Sequence, residues 1–322
     1  FNLLLIPLIF IIFSSNCGKN NDQKVYKKID TIEASSDNKQ NNIVSAENGG
    51  TGFEDYAINN GWETNLDPKL IGDPRAIKGG TLKLKGDDNF PPTFRTTGQD
   101  TRWQILSLLE HNVYQSLLNI NYETMKFQPK LATHWKISED KLTYWFRINP
   151  DARWSDGREV TADDVVATFN LLSDEGHGDP NVYTLYGESF ELPLIAESKY
   201  IVQMKSKKVD WRTFIYAATS AHIFPSYYLN KVDGTGYVDK YQYEMLPGTG
   251  PYILDKERTT KDNNGIIVLH KLSDFWAGNH YVNTGFYNFD TIKYIFMDDE
   301  LLEVERLRKG EMDMYVIWRS SI

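Results

Sequence analysis

The order of apolar and polar positions divides the chain before any residue is weighed for chemistry. Leu3 to Phe13, eleven residues, are all apolar, interrupted only by Pro7. As a helix they rise about 16 Å, short of the roughly 20 residues a bilayer needs, and that length suits the apolar core of an export signal. From Gly18 to about Gly52, Asn, Lys, Asp, Ser and Gly predominate. Such a composition buries too little apolar surface to offset chain entropy and predicts a mobile tether. Residues 53–75 hold helical fragments broken by Pro68 and Pro74. Firm patterning begins with the glycine turn Lys78-Gly79-Gly80, after which Leu82 and Leu84 alternate as on a strand. Trp103 to Leu118 carry apolar residues at i, i+3 and i+4 without Gly or Pro, which predicts an amphipathic helix. Trp135–Ile137 and Leu142–Ile148 flank the polar stretch Ser138–Lys141 and predict a hairpin. Tyr200–Met204, Ile266–Leu269 and Phe289–Phe296 read as further strands, and Glu300–Lys309 as a helix stopped by Gly310. Strands single and in hairpins, interleaved with helices, imply a mixed α/β fold.

Composition adjusts this picture in three places. With 322 residues, 41% of them hydrophobic, the chain can bury a sizeable core and is expected to form two lobes. A net charge of -9, with no basic stripe among the aromatics, excludes nucleic acid as an expected partner. The single cysteine, Cys17, rules out an internal disulfide and sits where the apolar run gives way to the polar tether. A lone cysteine closing an export signal predicts lipidation at Cys17, with residues 1–16 as the signal and a lipid anchor on the outer face of the cytoplasmic membrane. Ser14 and Asn16 depart from the usual residues of such a cleavage box, and the start, without Met or basic leader, reads as truncated.

The stretch WSDGREVTADDVVATF, Trp154 to Phe169, places four acids in sixteen residues. Asp156-Gly157 is a tight-turn pair, Thr161 a natural helix N-cap, and Asp164 can complete a shortened capping box. Asp163 and Asp164 also oppose the positive end of the helix dipole. A calcium loop needs oxygen ligands at alternate positions and a terminal bidentate Glu, which this spacing lacks. No histidine lies nearby to shuttle protons. The acids are expected to build the fold, not to do chemistry.

This stretch resembles a signature of the extracellular solute-binding proteins, family 5, the receptors of peptide-type ABC importers. Other segments resemble that family in the same order. They are Val113-Tyr114-Gln115-Ser116-Leu117-Leu118, Pro129-Lys130-Leu131-Ala132-Thr133-His134-Trp135, Pro247-Gly248-Thr249-Gly250-Pro251-Tyr252, Asp274-Phe275-Trp276 and Arg308-Lys309-Gly310-Glu311-Met312-Asp313. Asn288-Phe289-Asp290-Thr291-Ile292-Lys293-Tyr294 most resembles the YejA-like branch. The resemblance implies a periplasmic-binding-protein-like type II bilobal fold. Residues 78–114 and 217–322 would form lobe I, residues 115–216 an inserted smaller lobe, and residues 17–77 the anchor cysteine and a tether with short helices. The second large lobe would be missing after residue 322.

The resemblance also implies a binder that holds the backbone of an extended ligand along a strand edge of lobe I. Gly98, Gln99, Asp100 and Arg102 fall where the family's first ligand loop lies, a solvated loop being the alternative. Val316, Ile317 and Trp318 correspond to the strand edge that pairs with peptide, with a core strand as the alternative. Tyr183 and Tyr186 carry hydroxyls that could meet ligand, or could pack. Asp274 and Asp290 lie on separate turns without a matched partner, and the six histidines are scattered, with neither H-E-x-x-H nor a close pair. Neither G-x-S-x-G nor a phosphate-cradling loop occurs. No catalytic residue, metal site or cofactor is expected. The expected function is an extracytoplasmic, periplasmic substrate-binding lipoprotein that captures oligopeptides for an ABC permease. A receptor for a metal chelate or oligosaccharide, or a surface lipoprotein hydrolase, is the alternative.

Overall fold

The computed structural model describes residues 44–65 and 69–314. In chain order the first elements are α1 (Phe53–Asn59), β1 (Thr81–Lys85), α2 (Gln104–Val113), β2 (Leu118–Ile120), β3 (Phe127–Pro129), β4 (Ala132–Ile137), β5 (Thr143–Ile148) and α3 (Ala162–Leu172). There follow α4 (Pro180–Tyr186), β6 (Phe190–Ala196), β7 (Ile201–Ser206), α5 (Trp211–Ile215), α6 (Ser226–Leu229) and α7 (Gly234–Lys240). The last are β8 (Tyr252–Leu254), β9 (Ile266–Lys271), β10 (Thr291–Ile295) and α8 (Glu300–Arg308).

Two four-stranded sheets carry two separate cores. One sheet runs β1-β10-β9-β8, with β1 parallel to β10 and the other pairs antiparallel. On it lie Ile105, Leu106, Leu109 and Val113 of α2, packed with Ile267, Leu269, Ile292, Tyr294, Tyr237 and Tyr241. The other sheet, β4-β5-β7-β6, is wholly antiparallel. Phe146 and Ile148 of β5, Val202 and Met204 of β7, and Val165 and Phe169 of α3 make its core. The period-2 and period-3.6 patterns thus bury the faces they mark.

The chain leaves the first unit after α2, and the break comes earlier than the apolar spacing predicts. Tyr114 turns extended (φ -113°, ψ 159°). The last helical carbonyl, on Val113, accepts from Gly250 N at 2.8 Å, and the Tyr114 hydroxyl donates to Leu246 O at 2.9 Å. Leu117 and Leu118, expected on the helix, are instead fully buried in the second core. Tertiary contacts here override a helical pattern that continues in sequence.

The polar stretch expected to stay mobile to about Gly52 is docked from Val44 onward. Arg147, itself buried, donates from Nε to Gly49 O at 2.9 Å and lies 5.0 Å over the Phe53 ring. Ser198 Oγ donates to Asn48 O at 2.7 Å. Phe53 is fully buried, with Trp62 edge-on at 5.1 Å and His134 at 5.2 Å. Glycine permits this docking, because a Cβ on Gly49 would meet Tyr200 Cβ at 3.0 Å.

Candidate functional site

The loop at residues 96–102 is built into the structure from both sides. Thr101 Oγ1 donates to Gly98 O at 2.7 Å, and the buried Arg95 guanidinium donates to Thr97 O at 3.3 Å. Across the loop, Gln99 N donates to His177 O at 2.7 Å. Gly98 has φ +90°, and a Cβ there would lie 2.8 Å from His177 O, so only glycine allows this approach. Arg102 reaches Asp179 Oδ1 at 3.1 Å, the same oxygen that caps α4 through Asn181 N at 2.9 Å. His177 is fully buried and joins the parts. Its Nδ1 accepts from Asp179 N at 3.0 Å, which leaves Nε2 to donate to Leu172 O at 3.2 Å. Gln99, Asp100 and Arg102 are exposed on the surface of this clamp, and Gly98 is buried beneath them.

Of the other expected site residues, Tyr183 and Tyr186 lie on α4, the helix that Asp179 caps. Tyr183 is half-buried, and the neighbouring Glu175 carboxylate, which its hydroxyl contacts, raises its pKa. Tyr186 belongs to the core, 5.4 Å from Phe169 in an edge-on contact, and burial raises its hydroxyl pKa. Packing, not exposure, is therefore its environment. Val316, Ile317, Trp318 and Cys17 lie outside the described residues. The chain approaching Val316 runs beside β1: Asp313 N donates to Lys83 O at 2.9 Å, Lys83 N to Asp313 Oδ2 at 2.7 Å, and Met314 bridges Leu84 in parallel.

The acids of the Trp154–Phe169 stretch serve the fold. Asp164 Oδ2 accepts from Thr161 N at 2.9 Å and Trp154 Nε1 at 3.3 Å, while Oδ1 accepts from Ser226 N at 2.7 Å. Burial raises its pKa against these donors. Asp156 Oδ2 accepts from the Tyr227 hydroxyl at 2.7 Å, and Glu159 pairs with Lys199 at 2.5 Å. Among the described residues no group of three or more His, Cys, Asp or Glu could hold a metal ion.

One polar group escaped the sequence reading. His111 and His222, more than a hundred residues apart in sequence, bring their rings to 5.0 Å, and Glu110 Oε1 lies 3.5 Å from His222 Nδ1. Burial pushes Glu110 up to about 8 and holds His222 well below its usual value, so neither is expected to be charged near neutral pH. The only signal in the sequence was a Glu-His pair on the polar flank of an otherwise apolar helix.

The turns at Pro247–Tyr252 and Trp154–Gly157 meet where the two sheets join. Ser155 N donates to Gly248 O at 2.8 Å, and Trp276 Nε1 to Thr249 O at 2.9 Å. A Cβ on Gly248 would stand 2.0 Å from Val113 O, so the turn requires glycine for close approach. Residues 126–321 match the model of the bacterial extracellular solute-binding proteins, family 5 Middle. The chain belongs to this family. It is similar to a probable peptide-binding protein YejA of Agrobacterium fabrum, 26% identical over 246 residues, or 74% of this chain and 38% of that protein. The oligopeptide-binding protein AppA of Bacillus subtilis, solved with a nonapeptide, superposes with TM-score 0.61 at 21% identity over 74% of this chain and 44% of that one. A periplasmic oligopeptide-binding protein of Thermotoga maritima, solved with mannohexaose, gives 0.57 at 17% identity over 72% and 40%. These neighbours are bilobal solute-binding proteins, and this family 5 chain, YejA-like, spans less than half of each. No helix among its described residues is long and apolar enough to cross a membrane.

Proposed function

We propose that this family 5 chain supplies the first lobe and the inserted lobe of an extracytoplasmic receptor that captures oligopeptides for an ABC permease. Residues 78–114 and 217–322 would form lobe I, residues 115–216 the inserted lobe, and lipidated Cys17 the membrane anchor. The observation that carries the reading is the clamped loop: a rigid platform whose outward residues Gln99, Asp100 and Arg102 are polar. It follows β1 in the chain, and Met314 bridges Leu84 of β1 in parallel, two residues before Val316, Ile317 and Trp318, which would supply the strand edge. A strand edge beside a polar loop suits an extended ligand gripped through its main chain, with side chains left in roomy surroundings. Closure by a further lobe would bury the ligand from its other side. An oligosaccharide is the second reading, because the Thermotoga neighbour on the same fold holds mannohexaose.

The test is to incubate the full-length protein with a mixed peptide pool and identify by mass spectrometry what co-purifies. Intact peptides are expected, in amounts reduced by Arg102→Ala combined with Gln99→Ala. Cleaved products would point to a hydrolase, and an empty protein that instead retains an oligosaccharide would overturn the peptide reading.

A further inference from the structure

A cavity of about 110 Å³ lies at the other end of the lobe I sheet from the clamped loop. The register fixes this placement. Thr81, the first residue of β1, sits beside Thr291, which in turn faces His270, so the 272–290 excursion leaves from the start of β1. The loop at 96–102 follows the end of β1. Between the two ends runs α2, ten residues and about 15 Å long.

The cavity walls have an unusual balance of charge. Gln115 and Gln128 line it and are buried, 3% and 8% exposed. The Gln115 side-chain carbonyl has no hydrogen-bond partner among the described residues. Lys130 and Lys69 line it too, and no lining residue is acidic among the described residues. Lys69 is paired with Glu123. Lys130 makes no ion pair or side-chain hydrogen bond among the described residues. Desolvation lowers its pKa to about 8, so near neutral pH it remains mostly a cation in search of a counter-charge. On the α2 side its charge is felt by His222, which burial holds neutral and which lies against Glu110, itself held neutral by burial, and His111. The opposite wall is aromatic: Trp276, with its indole N–H already given to Thr249 O, stacks edge-on with His280 at 5.2 Å. Burial lowers the His280 pKa, so it adds no positive charge near neutral pH.

A buried orphan acceptor and an unpaired cation in one small space ask for complementary groups on one molecule. We infer that this cavity is a second binding site, selective for a small carboxylate that also carries a hydrogen-bond donor, with Lys130 meeting the carboxylate and the Gln115 carbonyl accepting from the donor. The cavity admits only a few heavy atoms, so it suits a short hydroxy acid and not the peptide proposed for the loop. Occupancy would join β3 to the 272–290 excursion.

Competitive acetylation of the 322-residue chain, read lysine by lysine by mass spectrometry, tests the site. Glycolate is expected to slow labelling of Lys130 by about fivefold or more, leaving the other lysines unchanged. Acetate, which lacks the donor, is expected to need about tenfold higher concentration, the effect of one hydrogen bond to an otherwise unsatisfied buried group. Gln115→Leu should bring glycolate down to the acetate level, and Arg102→Ala, a change in the loop proposed to hold peptide, should leave the protection of Lys130 by glycolate as it is in the parent. Should Gln115→Leu fail to fold, saturation-transfer NMR of glycolate against Lys130→Met gives the same decision, with loss of transfer expected. Equal protection by chloride, acetate and glycolate would reduce the site to a bare anion hole and overturn the inference, as would labelling of Lys130 indifferent to all three.

Discussion

Removing one buried carboxylate is expected to cost more stability than any other acid of the Trp154–Phe169 stretch. Asp164 is 2% exposed and accepts from the Thr161 amide, the Ser226 amide and the Trp154 indole. Asp164→Ala strands all three donors. Each unsatisfied buried donor costs about 1–3 kcal/mol, and since the three share one site the sum is taken as about 3–6 kcal/mol. Domains of this kind have only about 5–15 kcal/mol in hand, so the variant should sit near its unfolding threshold. Asp163→Ala is the internal control: it is exposed, on the same helical turn, and should lose only about 0.5 kcal/mol of dipole interaction. Asp164→Asn keeps the shape and one carbonyl acceptor and should fall between them. The carboxyl pKa is raised by burial, so its ionisation costs some stability as pH rises through the folded value. Urea unfolding near neutral pH, followed by tryptophan fluorescence and far-UV circular dichroism, measures all three variants. A loss in Asp164→Ala within about 1 kcal/mol of that in Asp163→Ala would refute the structural account and reopen a chemical role for the acid.

Two further outcomes follow from the same physics. Burial raises Glu110 from 4.5 to about 8, so between those values the folded state holds a proton that the unfolded state releases, and stability falls as pH rises. Glu110→Gln removes that slope; discounted for the 21% of its side chain still exposed, the variant should gain on the order of 2 kcal/mol relative to the parent between about pH 5 and about pH 8, and parallel urea midpoints across that range would contradict it. Phe53→Ala empties a fully buried position on which Trp62, His134 and Arg147 converge, a loss of about 3–5 kcal/mol confined to the docked segment. Limited proteolysis should then cut within residues 44–63 at least about tenfold faster while the core resists, and unchanged cleavage would mean that Phe53 does not hold the segment.

What could be read along the sequence was local in origin. The hairpin of β4 and β5, the Thr161 cap and the stop at Gly310 (φ +69°) are each set by residues a few positions apart, and each stands where the spacing predicts. Helix α2 was overextended because the contacts that end it come from Leu246 and Gly250, far along the chain. Strand β6 was missed: its FELPLIA run contains Pro193, and its pairing partner, β7, lies after the turn. Docking of residues 44–52 was illegible for the same reason, since its polar composition is offset by hydrogen bonds from Arg147 and Ser198. At the candidate site, Gly98, Gln99, Asp100 and Arg102 were expected from resemblance to the family's loop, and all but the buried Gly98 are exposed. The core placement of Tyr186 and the meeting of His111 with His222 could not be expected, because both arise from contacts that no spacing records.

The segments that mark the family are the ones that touch each other. Ser155 of the W-S-D-G turn donates to Gly248, Gly250 ends α2 at Val113, and Trp276 donates to Thr249. Three separated motifs therefore form one joint between the two sheets, and a glycine at 248 is required because Val113 O occupies the space of a side chain. Residues in such a joint are constrained by geometry that every ligand shares. The clamped loop is constrained differently: His177 O holds the Gln99 amide and Asp179 holds the Arg102 guanidinium, but the exposed Gln99 and Asp100 side chains hydrogen-bond each other, at 3.2 Å. The same physics that makes family membership legible thus leaves the solute undetermined, because the joint fixes how the two sheets meet, while on the proposed reading it is the exposed loop that faces what is captured. Substituting Gly248 should therefore cost folding, whereas on the proposed reading substituting Gln99 or Asp100 should change which peptides co-purify and leave the urea midpoint in place.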